Sequence, residues 1–280
     1  MLEAQTFWID GHRANSLPLP DRGLDFGDGL FETLLSIDGR VPFLTLHVKR
    51  LTHGLKILGF PDVTERTQKH LNTALSELDS EPRSMRLTIT RGSALRGYAP
   101  PQTASPRIIV SANALAWNPF LVPSPAKLGV ADIGWSHQPY LAGIKHLNRL
   151  EQVLAAGQRV ARGWDEAVML DDEGLPLSVV SGNLFIVKGA RLLTPPIERC
   201  GIAGTRRELI VERWQERLGL PVRIERFTLA DLEAATEVFY CNSLLGFRPV
   251  AALGSTIWSA HPVCSLVQKL YAEAIQCGDC

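Results

Sequence analysis

The chain has 280 residues, of which 45% are hydrophobic and 21% are charged, a composition that suits a globular protein of one large domain or two ordinary ones. Because 29 basic residues balance 29 acidic ones, no net charge attracts nucleic acid or an acidic membrane, and no apolar run approaches the ~20 residues that span a bilayer. The start, MLEAQTFWIDGHR, lacks the features of a signal peptide, and the five scattered cysteines are an odd number. These observations predict a reduced, cytoplasmic protein that binds neither nucleic acid nor membrane.

The first part of the chain alternates between strand and helix patterns. Asp38-Gly39 is a strong hairpin signal, which predicts two paired strands in GLFETLLSIDGRVPFL. Apolar residues at three- and four-residue spacing predict an amphipathic helix in TLHVKRLTHGLKILGF, and a second helix is predicted over 63–78. Alternating or short apolar runs predict strands in FWIDG, SMRLTITRG and RIIVSANAL.

A proline-rich stretch, AWNPFLVPSPAK, is the clearest linker in the chain. We therefore predict a smaller N-terminal α+β domain over 1–116, a linker over 117–125 and a larger C-terminal α+β domain over 126–280. The second domain is expected to contain strands in LGVADI, EAVMLD, LFIVKG, ARLLTP and TEVFYCN and helices over 149–162, 205–218 and 261–276.

Several familiar catalytic signatures are absent, namely the P-loop, HExxH, GxSxG and a GxGxxG that opens a helix. The remaining candidates are segments that mix glycine, hydroxyl and arginine residues. In CGIAGTRREL, a glycine-bearing loop enters a helix whose backbone N–H groups would favour a phosphate, although Thr205 also suits an ordinary N-cap. In GIKHLNRLEQVLAAGQ, the apolar face of the predicted helix does not need Lys145, which is either a solvated turn lysine or a functional one.

Taken in order, these segments resemble the branched-chain-aminotransferase-like group of pyridoxal-phosphate enzymes, called fold type IV. The resemblance covers nearly the whole chain through DRGLDFGDGLFET, HVKRL, RGSALRGY, LAGIKHLNRLEQVLA, DEAVMLDDEG, SGNLFIVKG, GIAGTRR and CNSLLGFRPV. It implies a two-domain α+β fold like that of D-amino-acid aminotransferase, a pyridoxal 5'-phosphate cofactor, a small-molecule substrate and a homodimer. KHLNRLEQ is typical of the lyase branch of the group, whose reaction in folate biosynthesis releases pyruvate and 4-aminobenzoate by β-elimination.

The resemblance also implies roles for individual residues. Lys145, in the C-terminal domain, would be the catalytic lysine that attaches the cofactor, and no metal is implied. Arg50 and Ser243 would bind the cofactor phosphate with backbone N–H groups at the helix start, and Arg96 would hold a substrate carboxylate. The implied cofactor contacts are Arg50, Lys145, Ser178, Ser181, Thr205, Arg206 and Ser243. The implied substrate contacts are Phe26, Phe31, Arg96 and Tyr98. Arg149 or Arg248 is a candidate for binding a second substrate carboxylate.

One position departs from the pattern of the group. Its members carry a glutamate that pairs with the pyridine nitrogen five residues before the asparagine of the NLF segment, where this chain has Ser178 before Asn183. A serine hydroxyl donates to a neutral nitrogen, so the ring would stabilise negative charge on the substrate carbon less well. Transamination needs that charge to persist, whereas β-elimination passes it to the leaving group. Ser178 therefore favours the lyase over the alternatives, which are a D-amino-acid or branched-chain aminotransferase and a degenerate relative without catalysis.

Overall fold

The computed structural model describes residues 5–94 and 97–277, and its contacts divide the chain into two compact units. The first unit consists of the described residues up to Asn118 together with Ile144–Asn148, and the second consists of Pro119–Gly143 and the described residues from Arg149 onward. Each unit combines helices with a sheet, which confirms the α+β prediction. The domain limits read from the sequence stay a prediction, and the short segment that carries Lys145 groups with the first unit.

The sheet of the first unit is antiparallel, with the strand order β2-β1-β5-β4-β3. β3 pairs with β4 along its whole length, from Gly29 opposite Thr90 to Ser36 opposite Arg83. Nearly every residue of β3 is buried, so this edge strand is covered on both faces. The strands are β1 Thr6–Ile9, β2 His12–Arg13, β3 Gly29–Ser36, β4 Arg83–Thr90 and β5 Arg107–Ala114.

The hairpin predicted at Asp38-Gly39 is wrong in its second arm. The turn itself forms, with left-handed φ values of 50° at Asp38 and 68° at Gly39, but only Ile37 and Arg40 bridge across it. Pro42 has no N–H to extend a ladder, and the chain turns into a helix instead.

Three helices of the first unit surround this sheet. The side chain of Asp21 caps α1 by accepting a hydrogen bond from the amide of Gly23 at 2.8 Å. The apolar stripe predicted for the second helix is confirmed, because His47, Leu51 and Leu55 are all buried. The helices are α1 Arg22–Phe26, α2 Leu44–Ile57 and α3 Thr64–Ser76.

The sheet of the second unit closes on itself. β9 pairs with β12, and the order continues through β13, β6, β7 and β8 back to the first residues of β9. β10 pairs with the last residues of β9, and β11 continues the sheet from there. Buried apolar side chains such as Val168, Leu184 and Val238 form a core cluster. The strands are β6 Ala126–Val130, β7 Glu166–Leu170, β8 Pro176–Val179, β9 Gly182–Lys188, β10 Arg191–Thr194, β11 Val222–Ile224, β12 Glu237–Asn242, β13 Gly246–Leu253 and β14 Thr256–Ile257.

The helices of the second unit largely follow the sequence prediction. The segment predicted as one helix over 205–218 is helical throughout, but its middle, Leu209–Trp214, is a π-helix. Within the described ranges, none of the helices has the length and apolarity needed to cross a membrane. The helices are a 3₁₀ turn at Pro139–Leu141, α4 Leu150–Ala161, α5 Thr205–Glu208, α6 Gln215–Leu218, α7 Leu229–Glu233 and α8 Pro262–Cys277.

Candidate active site

The segment that carries Lys145 is held beside β3 by backbone hydrogen bonds in the first unit. The amide of Phe31 donates to the carbonyl of Lys145 at 2.9 Å, and the amide of Leu147 donates to the carbonyl of Gly29 at 3.0 Å. A Cβ on Gly29 would lie 2.8 Å from a methyl group of Leu147 and 2.3 Å from a backbone oxygen, so the close approach requires glycine. These backbone hydrogen bonds therefore fix the position of Lys145 beside β3.

The amine of Lys145 lies against the ring of Phe31, which the family resemblance implies to be a substrate contact. Its Nζ is 4.3 Å from the ring centroid of Phe31. The guanidinium of Arg86 lies over the same ring, with Cζ at 3.8 Å from the centroid. Arg86 was missed from the sequence, although its outward position in the alternating strand β4 was a signal. The structure thus brings two cationic side chains to Phe31.

Arg50, predicted to bind phosphate, is part of a buried triad with Glu32 and His47. Its Nε donates to Glu32 Oε1 at 2.8 Å, one of its Nη atoms contacts the other carboxylate oxygen, and His47 Nδ1 lies 2.7 Å from that oxygen. Burial alone would raise the pKa of Glu32, but the charge of Arg50 and the hydrogen bonds outweigh it and lower the pKa to about 2. The carboxylate therefore orients the arginine with a fixed negative charge.

The motif DRGLDFGDG organises the loop around the predicted substrate contacts. Arg22 donates to the carbonyls of Gly97 and Tyr98 at 2.8 Å each, while its Nε donates to Asp28 at 2.8 Å. The rings of Phe26 and Tyr98 lie with centroids 5.4 Å apart. The predicted carboxylate contact, Arg96, lies outside the described residues.

The start of α5 in the second unit has the features of a phosphate-binding helix end. Thr205 and Arg206 are buried at the first helical positions, and the N-cap is Gly204, which offers no side-chain oxygen to their amides. A Cβ on Gly204 would lie 1.8 Å from Oδ1 of Asn183, whose Nδ2 donates to the carbonyl of Ile202 at 2.9 Å. Asn183 thus holds the loop, and an N-cap without a side-chain acceptor is the kind of helix start at which proteins bind anions.

The side chain of Arg206 connects this helix to the end of β12. It is almost completely buried, its Nε donates to the hydroxyl of Tyr271 at 3.2 Å, and one Nη donates to the carbonyl of Ser243 at 3.2 Å. Its guanidinium also lies 5.1 Å from the Tyr271 ring. The predicted phosphate contacts Thr205, Arg206 and Ser243 are therefore close together in the second unit.

Ser178 and Ser181, both predicted cofactor contacts, have different partners. The hydroxyl of Ser178 accepts a hydrogen bond from Nε1 of Trp135 at 2.9 Å, and both residues are buried. The hydroxyl of Ser181 donates to the buried carboxylate of Glu166. A role of Ser181 toward the cofactor stays a prediction.

The two arginines considered for a second carboxylate also differ. Arg248 donates from Nε to the carbonyl of Ser124 at 2.8 Å and from Nη to the Tyr240 hydroxyl at 3.3 Å, so it has a structural use. Arg149 lies 5.5 Å from the ring of Trp135, and burial lowers its pKa to about 10. The choice between the two arginines stays a prediction.

The donor set suits a small molecule with a phosphate group. Uncapped amides at the buried start of α5, next to Arg206 and Ser243, are the groups that bind phosphate in proteins. A fixed lysine amine beside an aromatic ring, as in Lys145 and Phe31, is the group that attaches an aldehyde cofactor and moves protons. Each unit, taken by itself, therefore offers a group that suits pyridoxal phosphate.

Comparisons with known proteins agree with this fit. The family Amino-transferase class IV matches residues 29–253. An aminodeoxychorismate lyase of Vibrio harveyi is 36% identical, over 89% of this chain and 92% of its own length. A putative branched-chain-amino-acid aminotransferase of Methanocaldococcus jannaschii is 30% identical, over 89% of this chain and 87% of its own length. The crystal structure of 4-amino-4-deoxychorismate lyase from Pseudomonas aeruginosa is similar with a TM-score of 0.89 and 38% identity, covering 95% of this chain and 98% of that one. The resemblance to fold type IV is confirmed.

Proposed function

The chain belongs to the class IV aminotransferase family, and we propose that it is the pyridoxal-phosphate-dependent lyase that converts 4-amino-4-deoxychorismate to 4-aminobenzoate and pyruvate. The observation that carries the proposal is the position of Lys145 against Phe31, in a segment typical of the lyase branch. The similarity to lyases of Vibrio harveyi and Pseudomonas aeruginosa, at 36% and 38% identity, supports it.

Five residues would hold the cofactor. The amides of Thr205 and Arg206, the Ser243 hydroxyl and Arg50 would bind its phosphate, and Lys145 would attach its aldehyde carbon. When bound, pyridoxal phosphate withdraws electrons from the carbon that bears the substrate amine and so acidifies the proton there.

The remaining chemistry is carried by Lys145. Its amine takes the proton from C4 of the substrate ring, and the bond between C3 and the ether oxygen breaks with its electrons going to oxygen. The departing enolpyruvate takes up a proton to become pyruvate, while the ring left behind is aromatic. Because aromatisation favours the products, the protein mainly orients the substrate and moves protons.

The substrate carries two carboxylates, one on the ring and one on the enolpyruvyl group. Arg96 is proposed for one of them, as the resemblance implies. Arg86, over the ring of Phe31, is proposed for the other, with Arg149 as the alternative. Phe26, Phe31 and Tyr98 would enclose the substrate ring and exclude water.

The test is release of pyruvate and 4-aminobenzoate from 4-amino-4-deoxychorismate by protein supplied with pyridoxal phosphate. Lys145→Ala should abolish release, whereas Lys127→Ala, at an exposed lysine of β6, should keep it. Equal rates for the two variants, or no release from cofactor-loaded wild type, would refute the proposal. Failure to take up the cofactor at all would favour a degenerate, non-catalytic relative.

An aminotransferase is the second candidate, because the Methanocaldococcus jannaschii relative at 30% identity carries that name. The buried serine at position 178, hydrogen-bonded to Trp135, argues against it, since transamination depends on strong electron withdrawal by the ring. Amination of a branched-chain or D-configured keto acid by glutamate, without pyruvate release from the lyase substrate, would establish this alternative.

The protein is further proposed to act as a cytoplasmic homodimer. Helix α4 supports the dimer, because apolar residues on one side of it face solvent: Leu150 is 77% exposed, Val153 61%, Leu154 57% and Val160 70%. The three- and four-residue spacing of apolar residues predicted this apolar face of α4. In the structure, the buried residue of the helix is Ala155 instead. An apolar stripe of this size on a soluble protein indicates an interface.

A further inference from the structure

A donor-only side chain determines the direction of the hydrogen bond at Ser178. The indole Nε1 of Trp135 lies 2.9 Å from the Ser178 oxygen, and indole nitrogen donates but does not accept. The serine oxygen must therefore accept from Trp135, and its own hydrogen remains to donate elsewhere. Only 4% of Ser178 and 7% of Trp135 are exposed, so bulk water does not compete for this hydrogen.

Ser178 lies on the sheet face that carries the phosphate-binding loop. It is directly opposite Asn183 in the pairing of β8 with β9, so both side chains project to the same face. Asn183 holds the carbonyl of Ile202 and touches Gly204, the residue before α5. The Ser178 hydroxyl therefore lies on the same face as the residue that holds the loop before α5, and it would be the group on this strand that donates to the ring of the cofactor.

The buried carboxylate of the neighbouring strand β7, Glu166, is on the other face of the sheet. Met169 is opposite Ser178 and Val168 is opposite Val179 in the pairing of β7 with β8, so Glu166, two residues before Val168, projects away from Ser178. Glu166 also accepts from the hydroxyl of Ser181 there. It cannot replace the glutamate that other members of the group place at the nitrogen.

Arg149 and Glu151 are charged residues near Trp135, while Asp171 and Asp172 follow β7 and pair with Arg226, His137 and Arg199. Arg149 lies 5.5 Å from the indole ring, and its positive charge disfavours a second cation nearby. Glu151 accepts from the amide of Ser136 at 3.0 Å and is half-buried, so the test includes it.

We propose that Trp135 fixes Ser178 as a hydrogen-bond donor and that the pair keeps the pyridine nitrogen of the bound cofactor unprotonated. The inference rests on the proposed function, because it assumes that pyridoxal phosphate is the cofactor. Ser178 is the group that touches the nitrogen, and Trp135 is a positioning residue. An unprotonated nitrogen withdraws fewer electrons, which suits an elimination in which the leaving group takes them.

The direct test loads the protein with ¹⁵N-labelled pyridoxal phosphate and records the nitrogen chemical shift at neutral pH, without substrate. Wild type and Ser178→Thr, which keeps the hydroxyl, should both give the shift of an unprotonated, hydrogen-bonded pyridine. Ser178→Glu should move the signal to that of a pyridinium. Ser178→Ala, which lacks the hydroxyl, should give the shift of a pyridine without this hydrogen bond. Trp135→Phe should move the signal toward that value, because the Ser178 hydroxyl is no longer held as a donor.

Each outcome separates this inference from the proposed function. A pyridinium signal in the wild type would overturn the inference and leave the lyase assignment intact, and Glu151→Gln would then show whether that acid supplies the proton. If Trp135→Phe proves too unstable to load, the Ser178→Thr and Ser178→Glu pair still decides the protonation state. A wild type that does not bind the cofactor would overturn both proposals.

Discussion

The Nε of Arg50 donates a 2.8 Å hydrogen bond to Oε1 of Glu32 at a place where almost no water reaches either side chain. Removing the carboxylate charge would leave a buried guanidinium without its counter-ion. Loss of one partner of a buried ion pair costs far more than loss of an exposed pair, because the remaining charge stays desolvated. Glu32 is therefore expected to hold the proposed phosphate-binding arginine and to stabilise the first unit.

Glu32→Gln should lower the free energy of unfolding by about 3 kcal/mol, since glutamine keeps the shape but not the charge. Urea denaturation, followed by circular dichroism, measures this change. Asp79→Asn is the matched control, because Asp79 pairs with Arg83 through a carboxylate that is 56% exposed, so its loss should change the free energy of unfolding far less. Similar losses in the two variants would contradict the assignment.

The same carboxylate predicts a pH dependence. The pKa of Glu32 is lowered from 4.5 to about 2, so the folded state binds its proton less readily than the unfolded state. The stabilisation is complete above the unfolded value and is lost as the pH falls from 4.5 toward about 2. The stability difference between wild type and Glu32→Gln should therefore shrink through this window. A difference that stays constant down to the lower pH would argue against a charged Glu32.

Gly204 provides a test of the phosphate-binding helix end. An alanine Cβ there would lie 1.8 Å from Asn183 Oδ1, so the loop before α5 must shift. Gly204→Ala should weaken pyridoxal-phosphate binding at least roughly tenfold, a loss of about 1.4 kcal/mol, measured by titration of cofactor absorbance. Gly157→Ala is the control, because nothing lies within 4 Å of a Cβ at that helical position. Unchanged affinity in Gly204→Ala would remove the case for phosphate at this helix.

Local patterns in the sequence predicted most of the helices, and the family resemblance was confirmed. Some strands and some packing faces were not predicted. Local spacing gave α2 and α4 nearly to their ends, whereas the second arm at Asp38-Gly39 failed because Pro42 follows the turn. The short strand that carries Ser178 was missed, because its four residues, one of them proline, form too short a pattern to predict a strand without its neighbours β7 and β9. The hydrogen bond from Trp135 and the contact of Arg86 with Phe31 likewise join residues far apart in the chain.

Arg86 is the residue that the structure adds to the proposed substrate contacts. Its guanidinium lies 3.8 Å from the Phe31 centroid, on the ring that Lys145 also touches. Arg86→Gln should raise KM roughly tenfold or more, because a charge-assisted hydrogen bond to a carboxylate is lost, while cofactor binding stays unchanged. Steady-state kinetics of pyruvate release measure this, with Arg83→Gln on the same strand as the control. An unaltered KM in Arg86→Gln would assign the second carboxylate to Arg149 instead.

The exposed stripe of α4 predicts the oligomeric state. Leu154 is 57% exposed in the middle of the stripe, so an aspartate there would place a charge inside the proposed interface between two copies. Leu154→Asp should shift the protein from dimer to monomer in sedimentation velocity. Ile257→Asp is the control, because Ile257 is 77% exposed on β14, away from α4 in the chain, and should leave the dimer intact. A wild type that sediments as a monomer, or a dimer that survives Leu154→Asp, would exclude this face as the interface. Loss of activity together with the dimer would further indicate that catalysis depends on the paired state.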